Sequence, residues 1–489
     1  PPWIIKPFEK IAITGSACVL PGCHTARELS EMVMGNKVVI SGVPKDYWRV
    51  STRGMVADSK EALTPDRTLT DNGGYVTGFE DIFRSEGFRI DKALIGELDP
   101  LFQWCLHAGR EALLEAKIFD DEALLKNAGV VMGNLMYPTS SLYKMAEEIY
   151  LNKLGLKDPG DSSEIHPYNR FVSGLPGILL AKALGMGGEA FCIDAACASS
   201  LYAIKLACDK LQRREADVML AGAASCSDPL FTHVGFSQIR AMSASGINKP
   251  FSIHADGLIP AQGAAFVVLK RLEDARKSGD NILGVICGIG LSNDGRSGGF
   301  LSPSSKDQVC CMKQAYEMSG IAPAEIGYVE CHATGTVIGD AVEIKSMSEI
   351  FTDGHKIPLG SLKANLGHLI TASGVAGLIK VLGMFQGKYI PSTPNAYPVL
   401  PQIENSPFYI PKETEEWQLQ GRRRVAAISN FGFGGNNAHL IVEEWMENEE
   451  YVPRLQKKEQ TASLAVVGIS VRTNLTEDND EFLRRVILK

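Results

Sequence analysis

No Cys-x-x-Cys pair occurs among the eleven cysteines of this 489-residue chain, so neither a zinc ribbon nor a thioredoxin-like dithiol is encoded and no metal site is expected. An odd number of thiols in apolar settings such as Cys192, Cys208 and Cys287 suits small core residues in a reducing cytoplasm better than a disulfide framework. Long apolar runs are missing too. Even Leu175 to Ile193 is broken by Lys182 and Gly185, short of the roughly 20 residues that cross a bilayer, so no membrane span is expected. The opening Pro1-Pro2-Trp3-Ile4-Ile5-Lys6 lacks the basic, apolar and small-residue regions of a secretion signal. Charge is nearly balanced: 49 Lys and Arg against 57 Asp and Glu leave −8, which argues against nucleic acid or an anionic membrane as main partner. With 48 Gly and 24 Pro the chain is neither collagen-like nor disordered. What remains, 45% apolar and 22% charged, predicts a globular cytoplasmic enzyme of about three domain-sized units or one large double domain.

Short apolar runs bounded by Gly or Asp predict strands at Ile11 to Thr14, Gly129 to Met132, Ala190 to Ile193, Val218 to Ala221, Ala265 to Leu269, Tyr328 to Glu330, Ile357 to Leu359 and Val425 to Ile428. Helical periods lie between them at Leu101 to Ala116, Ser199 to Leu211, Ser305 to Met318 and Val375 to Phe385. The alternation reads as a layered α/β fold with mainly buried strands. After Trp445 the pattern changes: residues 446–463 are charged, contain Pro453 and show no apolar period, as a linker would. Leu464-Ala465-Val466-Val467-Gly468-Ile469-Ser470 then echoes Ile11-Ala12-Ile13-Thr14-Gly15-Ser16. Residues 464–489 are therefore expected to open a second, similar unit of a longer polypeptide; a C-terminal strand packed back on the body is the alternative.

Four segments carry candidate chemistry. Asp194-Ala195-Ala196-Cys197-Ala198-Ser199-Ser200 joins an apolar strand to a helix-compatible stretch, which sets Cys197 at a helix N-terminus where the macrodipole and free amides favour a thiolate. Alone, a Cys among Ala and Ser is more often a packing residue. Glu330-Cys331-His332-Ala333-Thr334-Gly335-Thr336 ends a strand at an imidazole and enters a hydroxyl-rich loop; a structural His capped by Thr fits equally well. Asp340 and Glu343, three apart, would share a helix face and orient a basic group or cap the helix. Lys363-Ala364-Asn365-Leu366-Gly367-His368 places Lys363 and His368 across a turn, both able to point into one pocket; an ordinary exposed lysine is the alternative. Asn430-Phe431-Gly432-Phe433-Gly434-Gly435-Asn436-Asn437 precedes the strand-like Leu440-Ile441-Val442, which suits an oxyanion-binding loop inside a hairpin better than a dinucleotide cradle.

Together, and in this order, the four segments resemble those of the β-ketoacyl synthases, the condensing enzymes of fatty acid and polyketide synthesis, over about residues 8 to 445. The resemblance implies a thiolase fold: two similar halves, 1–255 with the nucleophile and 256–445 with the histidines, lysine and Gly-rich loop, in a five-layer αβαβα arrangement that dimerises. It implies that Cys197 takes an acyl chain from the phosphopantetheine of an acyl carrier protein, with no bound cofactor of its own. His332 and His368 would assist decarboxylation of a malonyl-type extender and stabilise the attacking enolate, and ping-pong kinetics follow. The amides of Cys197 and Phe433 would form the oxyanion hole. By the same resemblance Phe433 and Gly434 would belong to the oxyanion and gating loop, and Lys363, Glu343, Thr334 and Thr336 would support the histidines.

Leu98-Asp99-Pro100-Leu101-Phe102-Gln103-Trp104, Gly133-Asn134-Leu135-Met136-Tyr137-Pro138-Thr139 and Ser292-Asn293-Asp294-Gly295 look more narrowly like the synthases of polyunsaturated fatty acid multienzymes, in which a chain-length-factor domain follows; a ketosynthase of a modular polyketide assembly line is the competing likeness. Gln262 stands where many relatives carry Glu, and Asn436 where Thr or Ser is usual. A noncatalytic partner of a synthase pair would leave Cys197 unacylated. A degradative thiolase would want a second Cys near the C-terminus, and none follows Cys331. No Leu-Gly-Asp-Ser carrier motif, GxSxG elbow or GxGxxG loop occurs, so those functions fall to other domains or chains.

Overall fold

The computed structural model describes residues 8–45, 47–156, 165–296, 302–352, 354–419, 421, 423–447, 465–468, 470–472, 478–481 and 484. The chain divides into a compact body, Pro1–Tyr451, and a separate short unit, Val452–Lys489. Thirteen strands are formed among the described residues: β1 Ile11–Val19, β2 Ala128–Gly133, β3 Ala190–Ile193, β4 Val218–Ser225, β5 Gly263–Arg271, β6 Gly284–Asn293, β7 Tyr328–Glu330, β8 Ile357–Gly360, β9 Tyr389–Ile390, β10 Phe408–Tyr409, β11 Glu415–Glu416, β12 Val425–Gly432 and β13 Asn436–Glu443. Eleven of them form one sheet in the order β10-β8-β7-β12-β13-β6-β1-β5-β4-β2-β3, and β9 pairs with β11 apart from it.

That order contains a repeat. Counting strands from each start, β3-β2-β4-β5-β1 and β8-β7-β12-β13-β6 are the same arrangement, with parallel pairs at the outer strands and antiparallel pairs at the inner ones in both. The halves meet where β1 runs antiparallel to β6, Ile11 opposite Ile286 and Ile13 opposite Gly284. The join therefore falls between Arg271 and Gly284 rather than at 255/256, because β5 pairs with both β1 and β4 and belongs to the first half.

Helices complete five layers. One outer layer holds α1 (Pro100–Glu115) and α2 (Leu175–Leu184), the middle layer α3 (Ser199–Gln212) and α6 (Ser373–Gly387), and the other outer layer α4 (Ser305–Ser319) and α5 (Val337–Ser348). The strands are apolar without alternation because both faces are covered. In β5, Val267 and Leu269 face the middle core while Phe266 and Val268 face the outer one, and β12 likewise sends Ile428 inward and Ala427 outward. The segment Ile370–Gly387 is long and apolar enough to cross a membrane, but it is 83% buried inside the protein. Its hydropathy is that of a core helix covered on all sides.

One ion pair lies inside that core. Lys380 of α6 donates to Glu330 at 2.6 Å, Tyr328 donates to the same carboxylate oxygen at 2.7 Å, and the other oxygen accepts the Leu362 amide at 2.6 Å. Glu330 thereby holds the start of the Lys363 segment against β7.

In the short unit, Ala465 to Gly468 and Ser470 to Arg472 carry no strand pairing, and Val466 and Val467 are exposed. Leu464, Ile469 and all but Met446 and Glu447 of the expected linker lie outside the described residues.

Lys380→Met leaves a buried carboxylate without its cation and is expected to cost about 3–5 kcal/mol, read from the shift of the urea unfolding midpoint. Adding Glu330→Gln should recover much of that loss. A single-variant loss below about 1 kcal/mol would show that the pair is not the desolvated contact described.

Candidate active site

The nucleophile turn is built by small residues under strain. After β3, Ala196 adopts φ +51°, an uncommon left-handed conformation for a residue with a Cβ. Asp194 accepts its amide at 2.9 Å, and the Ser199 hydroxyl accepts the Ala195 amide at 2.9 Å while donating to the Ala196 carbonyl at 2.6 Å. The 3-10 turn Ala196–Ala198 follows and runs into α3, which leaves Cys197 buried at the helix entrance. Asn430 donates to the Cys197 carbonyl at 2.7 Å and ties the turn to β12.

The second half repeats this device. Ile370 has φ +50°, the 3-10 turn Ile370–Ala372 follows, and α6 begins at Ser373. His368 stands just before it, with Nε2 at 3.0 Å from Cys197 Sγ and Nδ1 at 2.9 Å from the Ser373 hydroxyl. That pattern fits the tautomer in which Nδ1–H donates to Ser373 and Nε2 accepts from the thiol.

His332 leaves the end of β7. Its ring crosses that of His368 at 81° with centroids 5.4 Å apart and packs on Phe431; its Nδ1 is buried with no hydrogen-bond partner. Glu343 accepts the amides of His332 and Ala333, both at 2.8 Å. Asp340 accepts those of Thr334 at 3.1 Å, Gly335 at 3.3 Å and Phe251 at 2.8 Å. The two carboxylates on one face of α5 thus clamp loop backbone instead of pairing with a basic side chain or facing solvent. Thr334 and Thr336 bond each other at 3.1 Å and do not cap the imidazole. Lys363 is buried and donates to the Cys331 carbonyl at 3.4 Å. It does not line the cavity that holds His368, as its spacing suggests it would, although its charge acts on Cys197, His332 and His368.

The Gly-rich segment is the turn of the β12–β13 hairpin. A Cβ at Gly432 would sit 2.6 Å from the Ala195 carbonyl oxygen and 3.1 Å from the Cys197 nitrogen, so only glycine lets the loop press against the nucleophile turn. The amides of Phe433 and Cys197 consequently favour the thiolate form of Cys197. The Phe433 ring is partly exposed and packs against Phe236 at 6.1 Å, while Gly434 at φ +85° turns the chain back. Asp294 secures the turn, accepting from Asn437 at 2.7 Å and donating its amide to the Gly435 carbonyl at 2.9 Å. Asn436 accepts from Asn293 at 3.0 Å, and Gln262 donates to the Ser227 carbonyl at 3.3 Å. A cavity of about 560 Å³ opens over the site, lined by Cys197, His332, His368 and Phe433 and reaching out to Val337, Ile338, Arg240 and Lys60.

Electrostatics follow from burial. The Cys197 thiol is pushed up to about 11 by desolvation, against the pull of the Phe433 amide and of Lys363. A helix entrance alone therefore does not supply a thiolate here. Desolvation, aided by Lys363, holds His332 and His368 well below the usual imidazole range. Burial likewise lowers Lys363, opposed by Glu330 and Glu343, and raises Glu343 and Asp340, opposed by the backbone amides they accept. The site at neutral pH thus holds a neutral thiol beside two neutral imidazoles.

Sequence reasoning does not single out Asn430, Ser373, Asp294 or the Glu330–Lys380 pair. Glu330 and Asn430 stand inside motifs marked for their neighbours. Ser373 and Lys380 carry only the signal of a polar residue in an apolar helix.

The β-ketoacyl synthase N-terminal domain model matches residues 8–275 and the C-terminal domain model residues 283–397. One polypeptide of the phenolphthiocerol/phthiocerol polyketide synthase of Mycobacterium tuberculosis is 32% identical over 90% of this chain and 23% of its own length, and another polypeptide of that synthase is 32% identical over 94% and 29%. The chain therefore spans about a quarter of these curated relatives. Among solved structures, the PfaC keto synthase–chain length factor protein superposes with a TM-score of 0.85 at 36% identity over 92% of this chain and 49% of its own. The ketosynthase from module 6 of the bacillaene synthase of Bacillus subtilis 168 gives 0.74 at 30% over 89% and 72%. With both domain models matched across the two halves and ketosynthases as structural neighbours, the chain belongs to the β-ketoacyl synthase family, has the thiolase fold, and is a ketosynthase domain of the polyketide synthase type.

Proposed function

We propose that this chain is a competent β-ketoacyl synthase that extends a Cys197-bound acyl chain with a malonyl-type unit delivered on a carrier protein. The observation that carries the reading is the 3.0 Å contact between Cys197 Sγ and His368 Nε2, with His332 beside them and the cavity open above. As the acyl group passes from pantetheine sulfur to Cys197, the thiol proton moves to His368 Nε2 and returns to the departing pantetheine thiolate. The carbonyl oxygen then takes the place between the amides of Cys197 and Phe433. Malonyl carrier enters next and loses carbon dioxide, and the enolate carbon attacks the thioester carbonyl, releasing the Cys197 sulfur. A neutral imidazole carries one N–H to donate to the enolate oxygen: His332, whose Nδ1 has no other partner, suits this step, and His368 joins it only with its proton on Nε2 and Ser373 donating to Nδ1. No resident cofactor enters the scheme.

The residues nearest Cys197 suit an acyl chain rather than a polar substrate: Leu69, Phe236, Met242, Leu258 and Ile370 form one cluster with it. The pathway we favour is that of a polyunsaturated or related lipid multienzyme in which a chain-length-factor domain follows. Two things support it: the repeat of the β1 pattern in residues 464–470, and the PfaC keto synthase–chain length factor protein, of which this chain covers about half. Pairing with a second thiolase-like unit, a copy of this chain or a chain-length factor, is supported by the open sheet edge at β3 and the exposed Met136, Phe171 and Ile178 near it. Carrier domains would approach the cavity mouth.

Incubation with acyl carrier proteins or acyl pantetheines, followed by intact-protein mass spectrometry, should give one adduct per chain, absent from Cys197→Ala. Folded protein that takes no acyl group from any donor would turn the reading to a noncatalytic partner. His332→Ala should still acylate but lose condensation with malonyl carrier by at least about 100-fold; equal losses in both half-reactions would contradict the role given to His332. Because the thiolate is the reactive form and the thiol is pushed up to about 11, alkylation of Cys197 by iodoacetamide should rise about tenfold per pH unit from pH 7 to 10. A plateau beginning near pH 7 would mean that the resting enzyme already holds a thiolate.

A further inference from the structure

Cys197, His332 and His368 come from three separate segments, yet each offers a donor atom that lies within 4.8 Å of the other two. We propose that this trio also forms an inhibitory site for a soft divalent cation, zinc above all, in the unacylated enzyme. One thiolate and two imidazoles are the donors zinc prefers. Tetrahedral bonds of about 2.3 Å to sulfur and 2.0–2.1 Å to nitrogen place neighbouring donors about 3.3–3.6 Å apart, so small side-chain rotations suffice. Hard cations such as magnesium, which want oxygen, are excluded by the same donor set.

Two features make the trio a built site. His368 already has the outer partner a metal-bound imidazole needs, since Nδ1 meets the Ser373 hydroxyl at 2.9 Å while Nε2 points at the sulfur. The three side chains line an open cavity, which leaves the fourth position for water or a substrate group. The charge of Lys363 acts on all three ligands, and Glu330 and Glu343 act on Lys363 in turn. On binding, the Cys197 S–H bond breaks, the zinc–sulfur bond forms and the proton leaves to solvent.

The inhibitory consequence rests on the synthase reading, whereas the binding does not. A thioester sulfur is a poor zinc ligand, so the ion should seize the resting enzyme and spare the acyl-enzyme. Zinc would then act before the first half-reaction.

The test uses the intact chain and metal ions alone. Titration with zinc, followed by calorimetry, should show one ion per chain. Cobalt(II) as a probe should give the near-ultraviolet thiolate-to-metal charge-transfer band and the visible bands of tetrahedral nitrogen–sulfur coordination. Both should vanish in Cys197→Ala and after alkylation of Cys197 in the wild-type protein, a second arm that needs no substitution. Ser373→Ala should weaken zinc about tenfold through loss of the outer hydrogen bond. Absence of binding at 1:1 stoichiometry, or binding that survives both Cys197→Ala and alkylation, as it would at the exposed Cys310, overturns the proposal. If acylation proves real, zinc added before the acyl donor should block adduct formation and zinc added afterwards should not displace it; a failure of acylation without metal would count against the synthase reading and leave the cobalt result standing.

Discussion

The contact on which the site depends is that between the starts of the two central helices. A Cβ at Gly374 would lie 2.6 Å from Leu201 Cγ and 2.8 Å from the Ser200 hydroxyl, so α6 approaches α3 more closely than any larger residue would permit. The Val375 amide completes the junction by donating to Ser200 at 3.1 Å. Each helix is entered through a left-handed residue and a 3-10 turn, Ala196 in one half and Ile370 in the other. Abutting these two entrances brings Cys197 of the first half to His368 of the second. The strain at the two residues with positive φ is held by packing on all sides, in the manner expected of a functional turn.

Around this junction, burial decides the protonation states, and a few charges set back from the cavity moderate it. A desolvated thiol next to desolvated imidazoles stays neutral, so the nucleophile must be activated when substrate arrives, with His368 at 3.0 Å as the acceptor of its proton. Lys363 reaches the reacting groups only through its field, since its hydrogen bond goes to the Cys331 carbonyl. The carboxylates act through the backbone: Glu343 and Asp340 fix the loop after His332, and Glu330 fixes the segment before Lys363. Both histidine-bearing segments are therefore anchored at main-chain atoms, which leaves the His332 imidazole to meet a substrate while that of His368 is held by Ser373 and Cys197.

Much of this is legible in the sequence, and the gaps have physical causes. Strands such as Ala190–Ile193 and Tyr328–Glu330 and the helix Ser199–Gln212 announce themselves because buried α/β strands are short uniform apolar runs and their helices are not. The strand Gly284–Asn293 escapes the same criterion because its glycines, Gly284, Gly288 and Gly290, break the apolar run that marks the others. Gly288 and Gly290 admit α4, whose backbone lies within 3 Å of where their Cβ atoms would be. The boundary between the halves is hidden for a different reason: whether β5 closes the first half or opens the second depends on its neighbours in the sheet, which no local pattern records. Lys363 and His368 are five apart in a motif, but only His368 lines the cavity, a difference that spacing does not record.

The position of Glu330 shows how far support of the site extends into the fold. This carboxylate is the last residue of β7, two before His332; it holds the segment one before Lys363 and is itself held by Lys380, which lies in the helix that starts at the Ser373 partner of His368. Three separate parts of the second half that approach the cavity are thus joined at one buried group. Apolar packing could hold the same elements together, yet it would fix their mutual register less sharply than hydrogen bonds with defined directions. A carboxylate with all its partners satisfied suits a place where imidazoles from two different segments must arrive at one sulfur.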